Sequence, residues 1–220
     1  MIELIHGDCM DYMKDLPDNA FDLAIVDPPY GININFNMGL RKGQRKKHIE
    51  KGWDKKIPSV LYFNEMKRVS GNQIVWGGNY FPLGTSNHVI WWEKETPEGM
   101  SFSSGELAWT SFDMANRSYK KRNITGDKIH PTQKPVALYK WLLKNYAKPG
   151  DKILDTHGGS MSSVIACIDG GFDMVCLEID KEYFDAGVKR VKHHSRQLYM
   201  FSERPEIIVK KLFPDNKKTK

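Results

Sequence analysis

Apolar positions along the chain fall into two regular stretches with an irregular one between them. Near the N-terminus, Glu3 to His6 and Phe21 to Val26 are short apolar runs that read as strands, and Asp8 reads as the cap of a helix running through Leu16. Pro58-Ser59 opens a helix through Val69, and Gln73 to Gly77 and His88 to Trp92 read as aromatic-rich strands. Residues 94–129 are polar and without a period, broken only by the strand Glu106 to Thr110. Regularity then returns. A helix from Val136 to about Ala147 is followed by a strand Lys152 to Asp155, a helix Met161 to Ile168, a strand Asp173 to Leu177 and a long helix from Lys181. Gln197 to Phe201 reads as a last strand, and the lysine-rich segment from Pro205 as a poorly ordered tail. Alternation of this kind predicts an α/β fold, with a mostly parallel sheet covered by helices on both faces.

With 220 residues, the chain suits one such domain, expected over 1–204 with a basic tail at 205–220. Residues 31–57 are rich in Asn, Gly, Lys and Arg and read as a long functional loop. The net charge of +6 is uneven: Arg41, Lys42, Arg45, Lys46, Lys47, His48 and Lys51 crowd this loop, and Lys120, Lys121, Arg122 and Lys128 crowd another. Either cluster is explained by solvation alone, but both flank the chemistry described next, which points to phosphate contact. Cys9, Cys167 and Cys176 have no metal-ligand spacing, so no metal and no disulfide framework is expected. Met1 to His6 reads as a strand rather than a signal peptide, and no apolar run approaches the roughly 20 residues that span a bilayer. A cytoplasmic protein without a membrane association is expected.

The candidate chemistry starts at Asp27-Pro28-Pro29-Tyr30, directly after the apolar run Leu23 to Val26. A strand carries Asp27 to the carboxyl edge of the sheet, and the prolines hold the backbone extended while removing amide donors. A carboxylate, free carbonyls and an aromatic face remain, a combination suited to the amine of a flat base. Asp-Pro-Pro is also an ordinary way to leave a strand. Downstream, Asp155 ends a strand before Thr156-His157-Gly158-Gly159-Ser160, where two glycines allow a tight turn and close approach to a ligand. Glu178 follows Gly159 by about 20 residues, the distance at which a carboxylate reaches a ribose in nucleotide-binding folds. Dinucleotide-binding proteins share that pair. No Gly-Lys-Ser/Thr sequence or three-glycine pyrophosphate pattern is present, which favours a nucleoside cofactor without phosphates such as S-adenosylmethionine.

Taken together, Asp27-Pro28-Pro29-Tyr30, a variable middle, His130-Pro131-Thr132-Gln133-Lys134-Pro135 and the Asp155 to Ser160 turn resemble the beta-ordered amino-methyltransferases of DNA. In that family the catalytic half precedes the cofactor half, and the small stand-alone adenine enzymes of bacteriophages and mobile elements are most similar. The resemblance implies a Rossmann-like class I methyltransferase fold that binds S-adenosylmethionine and methylates adenine N6 in double-stranded DNA after flipping the base, as a monomer or homodimer. It implies catalytic roles for Asp27, Pro28, Pro29 and Tyr30. Asp155, Gly159 and Ser160 would line the methionine portion of the cofactor with Thr132 and Lys134 nearby. Glu178 would hold the ribose and Asp8 the adenine side, with Cys9, Asp27, His157, Gly158 and Ile179 in the same site. Asp8 also reads as a plain helix cap. Arg41, Lys42, Arg45, Lys46, Lys47, Lys120, Lys121 and Arg122 would contact DNA. Trp91, Trp92 and Trp109 are expected in the core. The segment Asp155 to Met161 departs from the family's usual Asp-Pro-Phe-x-Gly-Ser-Gly, with His157 in place of Phe and Met161 in place of the last Gly. Alternatives are cytosine-N4 methylation, where Ser often replaces the Asp, RNA N-methylation, or a nucleic-acid-binding module without turnover.

Overall fold

The computed structural model describes residues 1–32, 56–96, 103–122, 128–198 and 205–212. Five apolar runs form neighbouring parallel strands: β1 (Ile2–His6), β2 (Phe21–Val26), β3 (Ser70–Trp76), β7 (Lys152–Asp155) and β8 (Asp173–Glu178). The remaining strands are β4 (Val89–Glu93), β5 (Gly105–Thr110), β6 (Arg117–Lys120) and β9 (Ile207–Lys211). Among the described residues, the nine strands make one sheet in the order β6-β4-β5-β3-β2-β7-β8-β1-β9. β5 runs antiparallel to both β3 and β4, so the sheet is mixed at one end and parallel through its centre.

Helices cover both faces because successive side chains of the central strands point to opposite sides. Leu23 and Ile25 of β2 pack in one apolar cluster with α3 (Val136–Tyr146), α4 (Ser162–Gly170) and α5 (Lys181–Leu198). Ala24 and Val26 pack in another with α1 (Cys9–Met13) and α2 (Val60–Arg68). A strand buried on both faces shows no polar alternation, hence the unbroken Leu-Ala-Ile-Val run. Local signals set the helix ends. The Asp8 carboxylate accepts from Met10 N at 2.7 Å, Asp180 Oδ1 accepts from Glu182 N and Tyr183 N, and Gly171 at φ 72° closes α4 with its N–H on Cys167 O and Ile168 O. No helix among the described residues is long and apolar enough to cross a membrane.

Three expectations are corrected. Gln197 and Leu198 continue α5 rather than opening a strand, and the last strand is β9, inside the segment expected to be a disordered tail. β6 lies within a stretch read as irregular. Both missed strands are sheet edges; the charged side chains of β6 suit that place, whereas the short Ile207-Ile208-Val209 run of β9 sits in a lysine-rich segment whose composition hides it. Of the three tryptophans expected in the core, Trp92 is fully buried edge-to-face against Trp76, Trp109 is half-buried with its Nε1 donating to Gly84 O at 3.1 Å, and Trp91 is 39% exposed.

Candidate active site

β2, β7, β8 and β1 are parallel neighbours, so Asp27, Asp155, Glu178 and Asp8 are delivered to one edge of the sheet. The chain leaves β2 through α2 to β3 on one side, and leaves β7 through α4 to β8 on the other. The crevice between β2 and β7 is therefore a topological switch point, the position where open α/β sheets take ligands.

Asp27 is held from two sides. Lys134 Nζ lies 2.5 Å from its Oδ2, and the Tyr30 hydroxyl donates to its Oδ1 at 2.7 Å. Lys134 Nζ is also 2.9 Å from Glu106 Oε2, and Lys94 Nζ holds Glu106 Oε1 at 2.5 Å. Burial pushes the Asp27 carboxyl above the usual carboxylate range; the Lys134 ammonium opposes the rise and the charge of Glu106 adds to it. Glu106 moves the other way: burial disfavours its charge, but Lys134 and Lys94 outweigh that and hold it at about 2. Burial alone would lower the Lys134 ammonium, and the two carboxylates turn the change into a rise. The Tyr30 ring stacks on Tyr80 with centroids 5.1 Å apart and planes at 15°. Gly77, at φ 68°, passes so near that a Cβ there would stand 2.3 Å from Tyr30 Cε1.

The second half of the edge is built on Asp155. Its Oδ1 accepts from His157 N at 3.0 Å and its Oδ2 from Ser163 Oγ at 2.6 Å. Burial outweighs both bonds and pushes the carboxyl to about 7, with the charges of Asp27 and Glu178 contributing. Gly158 N donates to Leu177 O at 2.7 Å, and Gly159, at φ 48°, donates to Glu178 Oε2 at 2.7 Å. Glu178 Oε1 accepts from Asp180 N at 2.8 Å, and burial raises this carboxyl too. Arg190 Nη1 donates to Ser160 O at 2.6 Å. His157 Nδ1 lies 2.9 Å from Thr156 Oγ1, itself 2.6 Å from the buried Tyr62 hydroxyl; burial lowers the imidazole to about 4, so it is neutral at ordinary pH.

Residues 130–135 join the halves. Lys134 reaches Asp27, while a Cβ on Gly159 would stand 3.7 Å from the His130 ring. Thr132 Oγ1 lies 3.0 Å from His130 Nδ1. Residues 67–189 match the family described as DNA methylase, more than half of the chain. The chain belongs to the DNA methylase family. It is 23% identical to the DNA adenine methyltransferase YhdJ of Escherichia coli (strain K12), over 88% of this chain and 85% of that protein. It is 21% identical to the Type II methyltransferase M.HinfI of Haemophilus influenzae, over 86% and 68% respectively. Its fold matches the crystal structure of the M1.HpyAVI–SAM complex with a TM-score of 0.61 at 22% identity, covering 86% of this chain and 100% of that one.

In this DNA methylase the candidate residues stand as follows. Asp27, buried Pro28, half-buried Pro29 and Tyr30 follow β2 with Lys134 against them. Asp155, His157, Gly158, Gly159, Ser160 and Glu178 form the turn, and Ile179 is 58% exposed beside it. Lys134 is bound to Asp27, the Tyr30 ring lies on Tyr80, and one Asp8 oxygen caps α1, as its reading as a helix cap expects. Half-buried Cys9 has its thiol pushed up to about 12 by burial. Lys120, Lys121 and Arg122 are exposed, with Lys120 paired to Glu93 at 3.0 Å. Arg41, Lys42, Arg45, Lys46 and Lys47 lie outside the described residues. Sequence reasoning missed Lys94, Tyr62 and Glu106. One signal was available for Glu106: alternation puts it on the same face as Ala108 and Thr110, both buried, an unexpected place for a carboxylate.

Proposed function

We propose that this DNA methylase transfers a methyl group from S-adenosylmethionine to the N6 amino group of adenine in DNA. The observation that carries the reading is the Asp27-Pro28-Pro29-Tyr30 segment at the end of β2, next to the Asp155 to Ser160 turn at the end of β7. The name of the Escherichia coli relative, an adenine methyltransferase, supports adenine, as does Asp rather than Ser at position 27.

The donor set fits this cofactor. Three carboxylates, Asp27, Asp155 and Glu178, meet at one edge, which suits a ligand carrying a sulfonium and an ammonium. Glu178 with Asp8 and Cys9 would take the nucleoside, Ile179 offers an apolar surface to its base, and Asp155, Gly158, Gly159, Ser160, His157, Thr132 and Lys134 would surround the amino-acid end. When bound, S-adenosylmethionine supplies an electrophilic methyl carbon.

The protein's own task is to make the amine attack. Adenine N6 shares its lone pair with the ring, so nucleophilicity requires drawing on both of its hydrogens. Asp27 accepts one and the Pro28 carbonyl the other, stabilising positive charge where it develops on N6. Lys134 and the Tyr30 hydroxyl favour the ionised form of Asp27, the form that accepts. Tyr30 offers its ring to the base. Reaching the pocket requires rotating the adenine out of the duplex at a cost of a few kcal/mol, offset by contacts from Arg41, Lys42, Arg45, Lys46, Lys47, Lys120, Lys121 and Arg122 to phosphates.

Nucleoside mass spectrometry of DNA from cells expressing the protein tests this reading. N6-methyladenine is expected with the wild type, and a drop on the order of 10²- to 10³-fold with Asp27→Ala. N4-methylcytosine, or unmodified DNA, would overturn it.

A further inference from the structure

The Asp27 cluster contains a conflict. Both of its oxygens are engaged, one by the Tyr30 hydroxyl and one by the Lys134 ammonium at 2.5 Å. An ammonium so close drains the acceptor strength that an incoming amine needs, and sets a positive charge beside the atom that becomes positive. Yet Lys134 is 4% exposed, and a buried ammonium stripped of its partner costs several kcal/mol. It can loosen from Asp27 only if a second anion already holds it. Glu106 Oε2 stands 2.9 Å from Lys134 Nζ, and Lys94 pins the other Glu106 oxygen at 2.5 Å.

Resting on the adenine-methylation reading above, we propose that Glu106 is a positioning residue. It keeps the Lys134 ammonium bound while Asp27 exchanges Lys134 for the target amine. Two carboxylates and two ammonium groups make the cluster neutral, so the exchange moves a hydrogen bond without exposing a net charge. The Trp76 ring, 5.4 Å from Lys134 Nζ, presents a second surface to the ammonium. The groups facing Asp27 are Tyr30 beyond β2, Glu106 on β5, Lys134 before α3 and Asp155 at the end of β7, while Lys94 after β4 faces Glu106. Tyr62 of α2 and Tyr139 of α3, both buried phenols, sense its charge as well.

Glu106→Gln removes the hold and the repelling charge together, leaving Lys134 to Asp27 alone. Carbon-13 NMR titration of the Asp27 carboxyl in the free protein is then expected to move to lower pH, and the acid limb of kcat/KM to follow. kcat at the plateau should fall roughly 10- to 100-fold, as for other residues that orient an acceptor. Affinity for S-adenosylmethionine by calorimetry should stay within about threefold, a difference under 1 kcal/mol. Lys94→Gln, which takes a positive charge out of the cluster and leaves Glu106 freer to draw on Lys134, should move the Asp27 titration the other way, to higher pH, and serves if Glu106→Gln fails to fold. An Asp27 titration that is unchanged or raised in Glu106→Gln, or unchanged or lowered in Lys94→Gln, or an unchanged kcat in Glu106→Gln where the wild type methylates adenine, overturns this inference alone. A wild type that binds the cofactor and leaves adenine unmodified overturns the proposed function instead.

Discussion

The backbone N–H of Gly159 donates to Glu178 Oε2 at 2.7 Å, tying the turn after β7 to the end of β8. With Asp180 N on the other oxygen, Glu178 shapes the turn besides facing the edge. Glu178→Gln turns one acceptor into an NH2 group against a backbone N–H. We expect a loss of about 1–3 kcal/mol in denaturant unfolding, with S-adenosylmethionine affinity by calorimetry down more than about tenfold, a change of about 1.4 kcal/mol. Unchanged values in both would remove Glu178 from the site.

Gly158 stands where side chains are excluded by the neighbouring strand. A Cβ there would lie 2.5 Å from the fully buried Cys176 Sγ and 3.2 Å from Leu177 O. Gly158→Ala is expected to destabilise by about 1–3 kcal/mol through overpacking. Adding Cys176→Ala removes the clashing sulfur, so the double variant should be more stable than the sum of the single changes predicts. Strict additivity in thermal unfolding would place the clash elsewhere.

Met161 carries a left-handed φ of 56° at the start of α4, yet it is completely buried, and its Sδ lies 2.7 Å from where a Cβ of Gly187 would be. The conformation costs about 1–2 kcal/mol for a residue with a Cβ, whereas truncating a buried Met costs about 2–5 kcal/mol. Burial wins, and methionine keeps the turn that a glycine would form without strain. Met161→Gly should therefore destabilise, but by about 1 kcal/mol less than Met161→Ala, which keeps the strain and loses the packing. The reverse order in a chemical denaturation series would refute this balance.

Asp155 and His157 pull the pH dependence of stability in opposite directions. Burial lifts Asp155 from 3.8 to about 7, so its contribution is fully present below pH 3.8 and is lost as pH rises to 7. His157 drops from 6.5 to about 4, so its contribution is present above pH 6.5 and is lost as pH falls to 4. The two largely cancel between pH 4 and 6.5. His157→Phe leaves Asp155 uncompensated, so wild-type stability minus variant stability should grow by about 2–3 kcal/mol from pH 4.5 to 6.5. A difference constant across that window would show that His157 does not titrate on unfolding.

Most of the fold was legible from periodicity and punctuation. Lys152 to Asp155 is a strand as read, and Phe21 to Val26 likewise, because each contains a short apolar run, Ile153-Leu154 and Leu23 to Val26, that is followed by an aspartate. Arg117–Lys120 and Ile207–Lys211 were not legible. Their membership of the sheet comes from pairing with Ile90–Glu93 and Ile2–His6, partners distant in the chain that neither segment's own residues reveal. Trp91 shows the same limit: its composition matches Trp92, and only the direction of each side chain from β4 separates an exposed ring from a core one.

What the residues determine by themselves is therefore local. Asp27 must leave a buried strand beside two prolines without N–H groups, and Gly158-Gly159 must turn tightly before a helix, since φ limits and side-chain alternation act within a few positions. What only the tertiary structure decided is which charges meet. Lys134 reaches Asp27 across 107 positions and Tyr30 meets Glu106 across 76, and the burial of Lys134 with the partial burial of the other three gives these contacts their strength. Charges removed from water interact strongly over a few ångströms, and those separations exist only once the sheet has assembled.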